Sequence, residues 1–235
     1  MTSVNSLEQY DVAMKNTHAP RFVALFAAIV VSIPFAPATA TAVDLPDGLG
    51  ISVGVDGRNQ VFIAVGGDVM AVDLGARPIG NTSGIRFAIS TGADGHKVAA
   101  TAVELVPEAR PGDDGESNAN TSISVRSGFT LSDDDRRVVI FDLGRRATAA
   151  DAVIWMPVEK ILVTGRICDE FGVAALAASN TAAWTGELRN LLDLEPEIVI
   201  PGRGEPGGAE LLSAQLDRLE ELRANVEAGL LAGLT

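Results

Sequence analysis

The stretch from Asp151 to Gly165 constrains the fold of this chain more than any other. Two short apolar runs, Ala152–Trp155 and Lys160–Val163, flank a turn that contains Pro157. Apolar runs rich in β-branched residues and bounded by Pro and Gly are typical of buried strands. The stretch therefore predicts a β-hairpin inside a core.

The residues that follow the hairpin continue the pattern with a helix and another strand. A tryptophan and three leucines recur at helical spacing within Asn180–Leu194, and Pro196 ends the helix because proline cannot continue one. Ile198–Ile200 then predicts a short strand, which runs into the glycine-rich turn at 201–204.

Similar signals divide the rest of the chain. Val98–Val106 is apolar but ambiguous, and Gly208–Leu231 has the apolar stripe of an amphipathic helix. Segments 76–84 and 108–120 are rich in Gly, Pro and polar residues, which indicates loops. Further strands are predicted at Val61–Val65, Val69–Val72, Ile85–Ser90, Thr121–Val125, Gly128–Leu131 and Arg137–Leu143.

Four sequence motifs, in this order, carry a resemblance to a known family. They read STGADGHKVAA at 90–100, GRRATAAD at 144–151, AVIWMPVEKILVTGR at 152–166 and PEIVIPGRG at 196–204. Together they resemble the metallo-β-lactamase superfamily. The resemblance implies one α/β domain over residues 43–235, a four-layer αββα sandwich. The short segment 76–84 stands where the family has a helix, so we expect reduced outer helices.

The resemblance also implies where zinc ligands would stand, because the family binds zinc through a His-x-His-x-Asp-His run, a later His, an Asp at a strand end and a final His. None of the matching positions keeps its family residue. Those positions are Gly92, Asp94, His96, Lys97, Ala147, Arg166 and Arg203.

The supply of metal-binding side chains is also small. The chain has two histidines, His18 and His96, and one cysteine. Zinc sites are built from imidazole, thiolate and carboxylate groups, so a His-rich centre for two zinc ions is excluded. We therefore assign no catalytic residue and expect no cofactor. The alternative is a residual polar cluster of Asp94, His96 and Asp151 that binds zinc or iron.

The arginines at the degenerate positions admit two interpretations. Arginine stays protonated in proteins, so Arg166 and Arg203 put permanent positive charge where the family places zinc. They can pair with Asp73, Asp94 or Asp151 and replace the metal with salt bridges. Alternatively, they join Arg145 and Arg146 in a pocket that binds a carboxylate or phosphate ligand.

The charge of the chain limits its partners, and its beginning predicts its location. A formal net charge of -13 argues against binding to nucleic acid or to anionic membranes. Residues 1–42 contain a polar extension, with Met14 as an alternative start, a basic region, the apolar run Phe22–Phe35 and the small residues Ala38–Ala42. This arrangement predicts a secretory signal peptide and export to the periplasm or medium. The alternative is an uncleaved leader that anchors the protein to the membrane.

These observations lead to two hypotheses of function. The first is an exported metallo-β-lactamase-like pseudoenzyme, without zinc or hydrolase activity, that binds a small anionic ligand or a protein partner. The second is a metal-dependent hydrolase of the superfamily with an atypical site.

Overall fold

The structure is a computed structural model that describes residues 44–54, 56–74, 84–92, 102–107, 121–125, 128–144, 151–169 and 180–231. Within these ranges, eleven strands form two sheets; one helix lies between the last two strands, and a second helix follows the last strand. The predicted elements 1–42, 76–83, 93–100 and 108–120 lie outside the described residues.

The first sheet is mixed and has the strand order β1-β2-β3-β4-β5-β6. The β1–β2 and β2–β3 pairs are antiparallel, whereas the β3–β4, β4–β5 and β5–β6 pairs are parallel. The turn Gly66-Gly67 joins β2 to β3, and both glycines have positive φ, as a two-residue hairpin turn requires. The strands are β1 Leu49–Val53, β2 Asn59–Val65, β3 Asp68–Val72, β4 Ile85–Ile89, β5 Val103–Pro107 and β6 Thr121–Val125.

The second sheet has the order β11-β10-β9-β8-β7, and only the β10–β11 pair is parallel. The predicted hairpin at 151–165 is confirmed as β9 and β10, with Met156 opposite Ile161. The strands are β7 Phe129–Ser132, β8 Arg137–Gly144, β9 Asp151–Met156, β10 Ile161–Gly165 and β11 Ile198–Pro201.

Alternating side chains divide the core into layers. In β9, Ala152, Ile154 and Met156 join the core between the two sheets, while Val153 and Trp155 face the helices. This alternation follows from the two-residue period of a strand, and it explains why every residue of β9 is buried. The two sheets therefore pack face to face, with a second apolar layer behind the second sheet.

The two helices cover the outer face of the second sheet. Helix α1, Thr181–Leu192, begins at Asn180, whose side chain accepts a hydrogen bond from the Ala183 N–H at 3.1 Å. Helix α2, Glu210–Leu231, packs beside α1 through Leu212 and Leu219. Neither described helix is long and apolar enough to cross a membrane.

The outer face of the first sheet also has a buried apolar cluster. Its members are Ala71, Leu74, Ile85, Ala88 and Ala102, each no more than 5% exposed. Phe62 and Val69 pack against this cluster and are only partly buried.

Candidate functional site

Strand ends from both sheets meet at one edge of the sandwich. Strands β3 and β4 are parallel, and so are β10 and β11, so the carboxyl ends of each pair lie at one edge of their sheet. Two backbone hydrogen bonds join the sheets here: the Ala152 N–H donates to the Thr91 carbonyl at 3.0 Å, and the Asn59 N–H donates to the Gly202 carbonyl at 2.9 Å. We call the following residues the strand-end site: Arg58, Asn59, Asp73, Thr91, Gly92, Gly165, Arg166, Asp169, Gly202 and Arg203.

Asp73 fixes the ends of β3 and β4 to each other. The Thr91 N–H donates to Asp73 Oδ1 at 2.7 Å, and the Thr91 hydroxyl donates to Asp73 Oδ2. The Asp73 N–H in turn donates to the Ile89 carbonyl at 2.9 Å. Both oxygens of this carboxylate therefore have a structural role in the first sheet.

Gly165, the last residue of β10, lies against Thr91. Its φ is +50°, and an added Cβ would lie 1.7 Å from Thr91 Oγ1. No Cβ approaches another atom so closely, so only glycine fits without displacement of the neighbouring strand end. The absence of a side chain here lets the second sheet pack directly on the first.

Arg166 fills the space beside Gly92. A Cβ added to Gly92 would lie 2.6 Å from Arg166 Cδ and 2.7 Å from Arg166 Nε. The stem of the arginine therefore occupies the volume that any side chain at position 92 would need. These are two of the positions where the resembled family carries zinc ligands.

The turn after β11 brings Arg203 to the same edge. The Gly202 N–H donates to the carbonyls of Gly165 and Cys168, both at 2.9 Å, and a Cβ on Gly202 would lie 2.6 Å from the Gly165 oxygen. Next in the chain, Arg203 donates from Nη1 to Asp169 Oδ2 at 3.1 Å. This ion pair is partly exposed, since 28% of the Arg203 side chain and 10% of the Asp169 side chain are accessible.

Arg58 is a third arginine of this edge, and sequence reasoning missed it. The neighbouring Asn59 side chain donates to the carbonyls of Pro201 at 2.8 Å and Gly204 at 2.9 Å, which fixes the β1–β2 turn against the β11 turn. Arg58 itself lies 3.3 Å from Asp56 through its Nε. Its stretch is only glycine-rich and polar in the sequence, so no pattern links it to a turn so far along the chain.

The three arginines are close enough to influence one another electrostatically. Burial lowers the pKa of Arg166, and the positive charges of Arg58 and Arg203 lower it further, while Asp73 and Asp169 oppose this effect. Arginine remains charged at physiological pH despite such a shift. The strand-end site is therefore a mixed cluster of guanidinium and carboxylate groups.

The structure brings together three of the positions that the resemblance assigns to metal ligands, Gly92, Arg166 and Arg203. Asp151 begins β9 and is fully buried. For Arg203, the carboxylate partner is Asp169, and our prediction of Asp73, Asp94 or Asp151 did not include that residue. The remaining predicted residues, which are Asp94, His96, Lys97, Ala147, Arg145 and Arg146, lie outside the described ranges, so the residual cluster with Asp151 stays a prediction.

The described donor set does not fit zinc. Gly92 has no side chain, and Arg166 and Arg203 present cations where the metal would need electron-pair donors. Within the ranges that the structure describes, no three His, Cys, Asp or Glu residues are grouped so that they could hold a metal ion. No hydrolytic step through a metal can be derived from these residues.

Cys168 adds no reactive group to the site. Burial raises the pKa of its thiol to about 12, and Sγ lies 3.4 Å from the Leu211 carbonyl. A protonated, buried thiol is a poor nucleophile and a poor metal ligand, so Cys168 serves packing against α2.

Comparison with solved structures identifies the architecture. A crystal structure of DIM-1 metallo-β-lactamase superposes with a TM-score of 0.62 at 18% identity, covering 76% of this chain and 96% of that chain. The chain has the metallo-β-lactamase fold. This result confirms the αββα sandwich that the four motifs implied.

Other metallo-β-lactamase structures agree on the fold. The enzyme from Hirschia baltica matches with a TM-score of 0.58 at 18% identity, over 75% of this chain and 96% of its own. The enzyme from Pontibacter korlensis matches with a TM-score of 0.58 at 14% identity, over 73% and 93%. No protein-family model and no curated protein sequence matches the chain. At such identities the metallo-β-lactamase fold is shared, while the chemistry has to be argued from the residues.

Proposed function

We propose that this protein is an exported, metallo-β-lactamase-fold pseudoenzyme that has lost zinc binding and hydrolase activity and uses its strand-end site for binding or structure. The observation that carries the proposal is the packing of Arg166 into the space beside Gly92. One position has lost its side chain, and another has gained a long cationic one that fills the gap.

The hydrogen bonds of the site support a role that does not need a metal. In a zinc enzyme the ion holds strand ends together through its ligands. Here Asp73 joins β3 to β4, the Arg203–Asp169 pair joins the residues after β10 and β11, and Asn59 joins the two sheets. Protein groups thus supply the cross-links that a metal would otherwise provide.

Metal analysis of the purified protein tests the proposal directly. After dialysis against a weak chelator, we expect less than about a tenth of an equivalent of zinc or iron, and no rise in melting temperature when zinc is added, because a ligand of the native state must stabilise it. Near-stoichiometric metal, or zinc-dependent stabilisation, would overturn the proposal. It would instead favour the atypical hydrolase, with Asp94, His96 and Asp151 as ligands.

Export is tested separately. The small residues before Val43 are the expected cleavage region of the leader. We expect the protein recovered from the periplasm or medium of a bacterial host to have an intact mass that corresponds to a chain starting near Val43. A full-length, membrane-associated chain would instead support an uncleaved anchor.

A further inference from the structure

We infer that Arg58, Arg166 and Arg203 together form a binding site for a small oxyanion, a carboxylate or phosphate group. The inference deepens the proposed function and rests on it, because it requires that arginines and not zinc provide the positive charge. The pocket predicted from the sequence combined Arg166 and Arg203 with Arg145 and Arg146. The site inferred here instead includes Arg58, which a separate part of the chain contributes.

Backbone contacts gather the three arginines around one residue, Gly202. Its carbonyl accepts from the N–H of Asn59, the residue after Arg58. Its N–H donates to the carbonyl of Gly165, the residue before Arg166, and Arg203 follows Gly202 directly. Each arginine is therefore either next to Gly202 in the chain or next to a residue that is hydrogen-bonded to Gly202.

These contacts also hold the three segments in place. The Asn59 amide is anchored to two carbonyls of the β11 turn, and the glycines at 165 and 202 approach other atoms too closely to accept a side chain. A site fixed by such contacts loses little conformational entropy when it binds a ligand. Planar guanidinium groups held in this way suit the paired oxygens of carboxylate and phosphate.

Arg203 keeps donor capacity beyond its ion pair, and solvent reaches two of the three arginines. Asp73 accepts from Thr91 through both oxygens, and Asp169 accepts from Arg203. Among the contacts of the described residues, Arg203 uses only Nη1, one of three guanidinium nitrogens. Its side chain is 28% exposed and that of Arg58 is 22% exposed, so solvent reaches both.

The mutual repulsion of the cations gives an anion a reason to bind. Arg58 and Arg203 both act unfavourably on the charged form of Arg166. An oxyanion among the three groups offsets this repulsion and accepts several charge-assisted hydrogen bonds. The chain as a whole has a formal net charge of -13 and repels anions, so retention of an anion requires a localised site of this kind.

Calorimetric titration of the chelator-treated protein tests the inference, with inorganic phosphate and acetate as separate probes in chloride buffers of matched ionic strength. We expect saturable binding of at least one probe, and the stronger binder indicates whether the ligand class is phosphate or carboxylate. The variants Arg58→Gln and Arg166→Gln should each weaken binding about tenfold or more, because each removes charge-assisted hydrogen bonds. The control Arg189→Gln removes an arginine from the surface of α1 and should leave binding unchanged.

The outcomes separate this inference from the proposed function. If the protein binds no zinc and neither probe binds, or Arg189→Gln weakens binding as much as the site variants, the oxyanion site is refuted and the metal-free pseudoenzyme stands. If probes bind only after zinc is added, both fail. Should Arg166→Gln not fold, Arg58→Gln decides the matter, because Arg58 lies on a partly exposed turn.

Discussion

Arg136 offers a test of how the two sheets are held together at the edge opposite the strand-end site. It precedes β8 and donates from Nε to Glu159 at 2.6 Å, from Nη1 to the Ala64 carbonyl at 2.9 Å and from Nη2 to the Asp47 carbonyl at 2.7 Å. Glu159 lies in the β9–β10 turn of the second sheet. Ala64 lies in β2 of the first sheet, and Asp47 precedes β1. One side chain therefore links both sheets.

The expected cost of Arg136→Met follows from these contacts. The Arg136 and Glu159 side chains are only 12% and 13% exposed, so the change leaves a nearly buried carboxylate without its partner. Breaking such a pair costs about 3–5 kcal/mol, which includes the lost hydrogen bond to the Glu159 carboxylate. For a domain of this size that corresponds to a fall in melting temperature of about 6–20 °C.

Urea unfolding of the wild type and variant measures this effect. A matched control is Arg189→Met, because Arg189 pairs with Glu220 on the exposed faces of α1 and α2 and should contribute less than about 1 kcal/mol. The double variant Arg136→Met with Glu159→Gln should recover part of the lost free energy of unfolding, because the Glu159 side chain is then uncharged and no buried charge is left unpaired. If Arg136→Met costs no more than the control, the link between the sheets has been overestimated.

Three further predictions concern single positions. Gly165→Ala should destabilise the protein by about 2–5 kcal/mol, because the new side chain is strained at positive φ and overlaps with Thr91. The control Gly57→Ala is also at positive φ but in open space, so it should cost only about 1–2 kcal/mol. Equal losses in urea unfolding would contradict the close packing at Gly165. Gln215→Met should raise the free energy of unfolding by about 1–3 kcal/mol, because the buried amide has no hydrogen-bond partner among the described groups; a loss of stability would disprove this. Burial acts to raise the pKa of Asp133, but the N–H groups of Gly66, Arg136 and Asp135 outweigh it and lower that pKa. Its contribution to stability is therefore present above about pH 4 and is lost as the pH falls below that value through the lowered pKa. Asp133→Asn should therefore flatten the decline of the urea midpoint on acidification below about pH 4; an unchanged slope would refute this.

The sequence predicted best those elements whose residue pattern is compatible with few alternative structures. The apolar runs around Pro157 predicted β9 and β10 because such runs have few alternatives to a buried hairpin. The helix over Asn180–Leu194 was found as α1 within two residues at each end, since a cap and a proline delimit it. Val98–Val106 was ambiguous, and its last residues form β5, because an apolar run alone does not distinguish a strand from a helix.

The site was predicted less completely because its contacts are remote in sequence. Arg166 and Arg203 could be placed at strand ends from their motifs, and the structure brings these ends together. Arg58 could not, since its position depends on hydrogen bonds from Asn59 to residues 142 and 145 positions away. The ion pair of Arg203 with Asp169 also depends on the path of the turn after β10, which residue types do not specify.

The separation of Asn59 from Pro201 has a consequence for biosynthesis. Contacts across such distances in the chain close late, because a long loop must be ordered before the contact forms. The β1–β2 hairpin leaves the ribosome long before the β11 turn exists, and domains fold from the N-terminal end as they emerge. We therefore expect a nascent chain that stops before Gly202 to contain the hairpin without the arginine cluster, so ligand recognition would be among the last properties that this protein acquires.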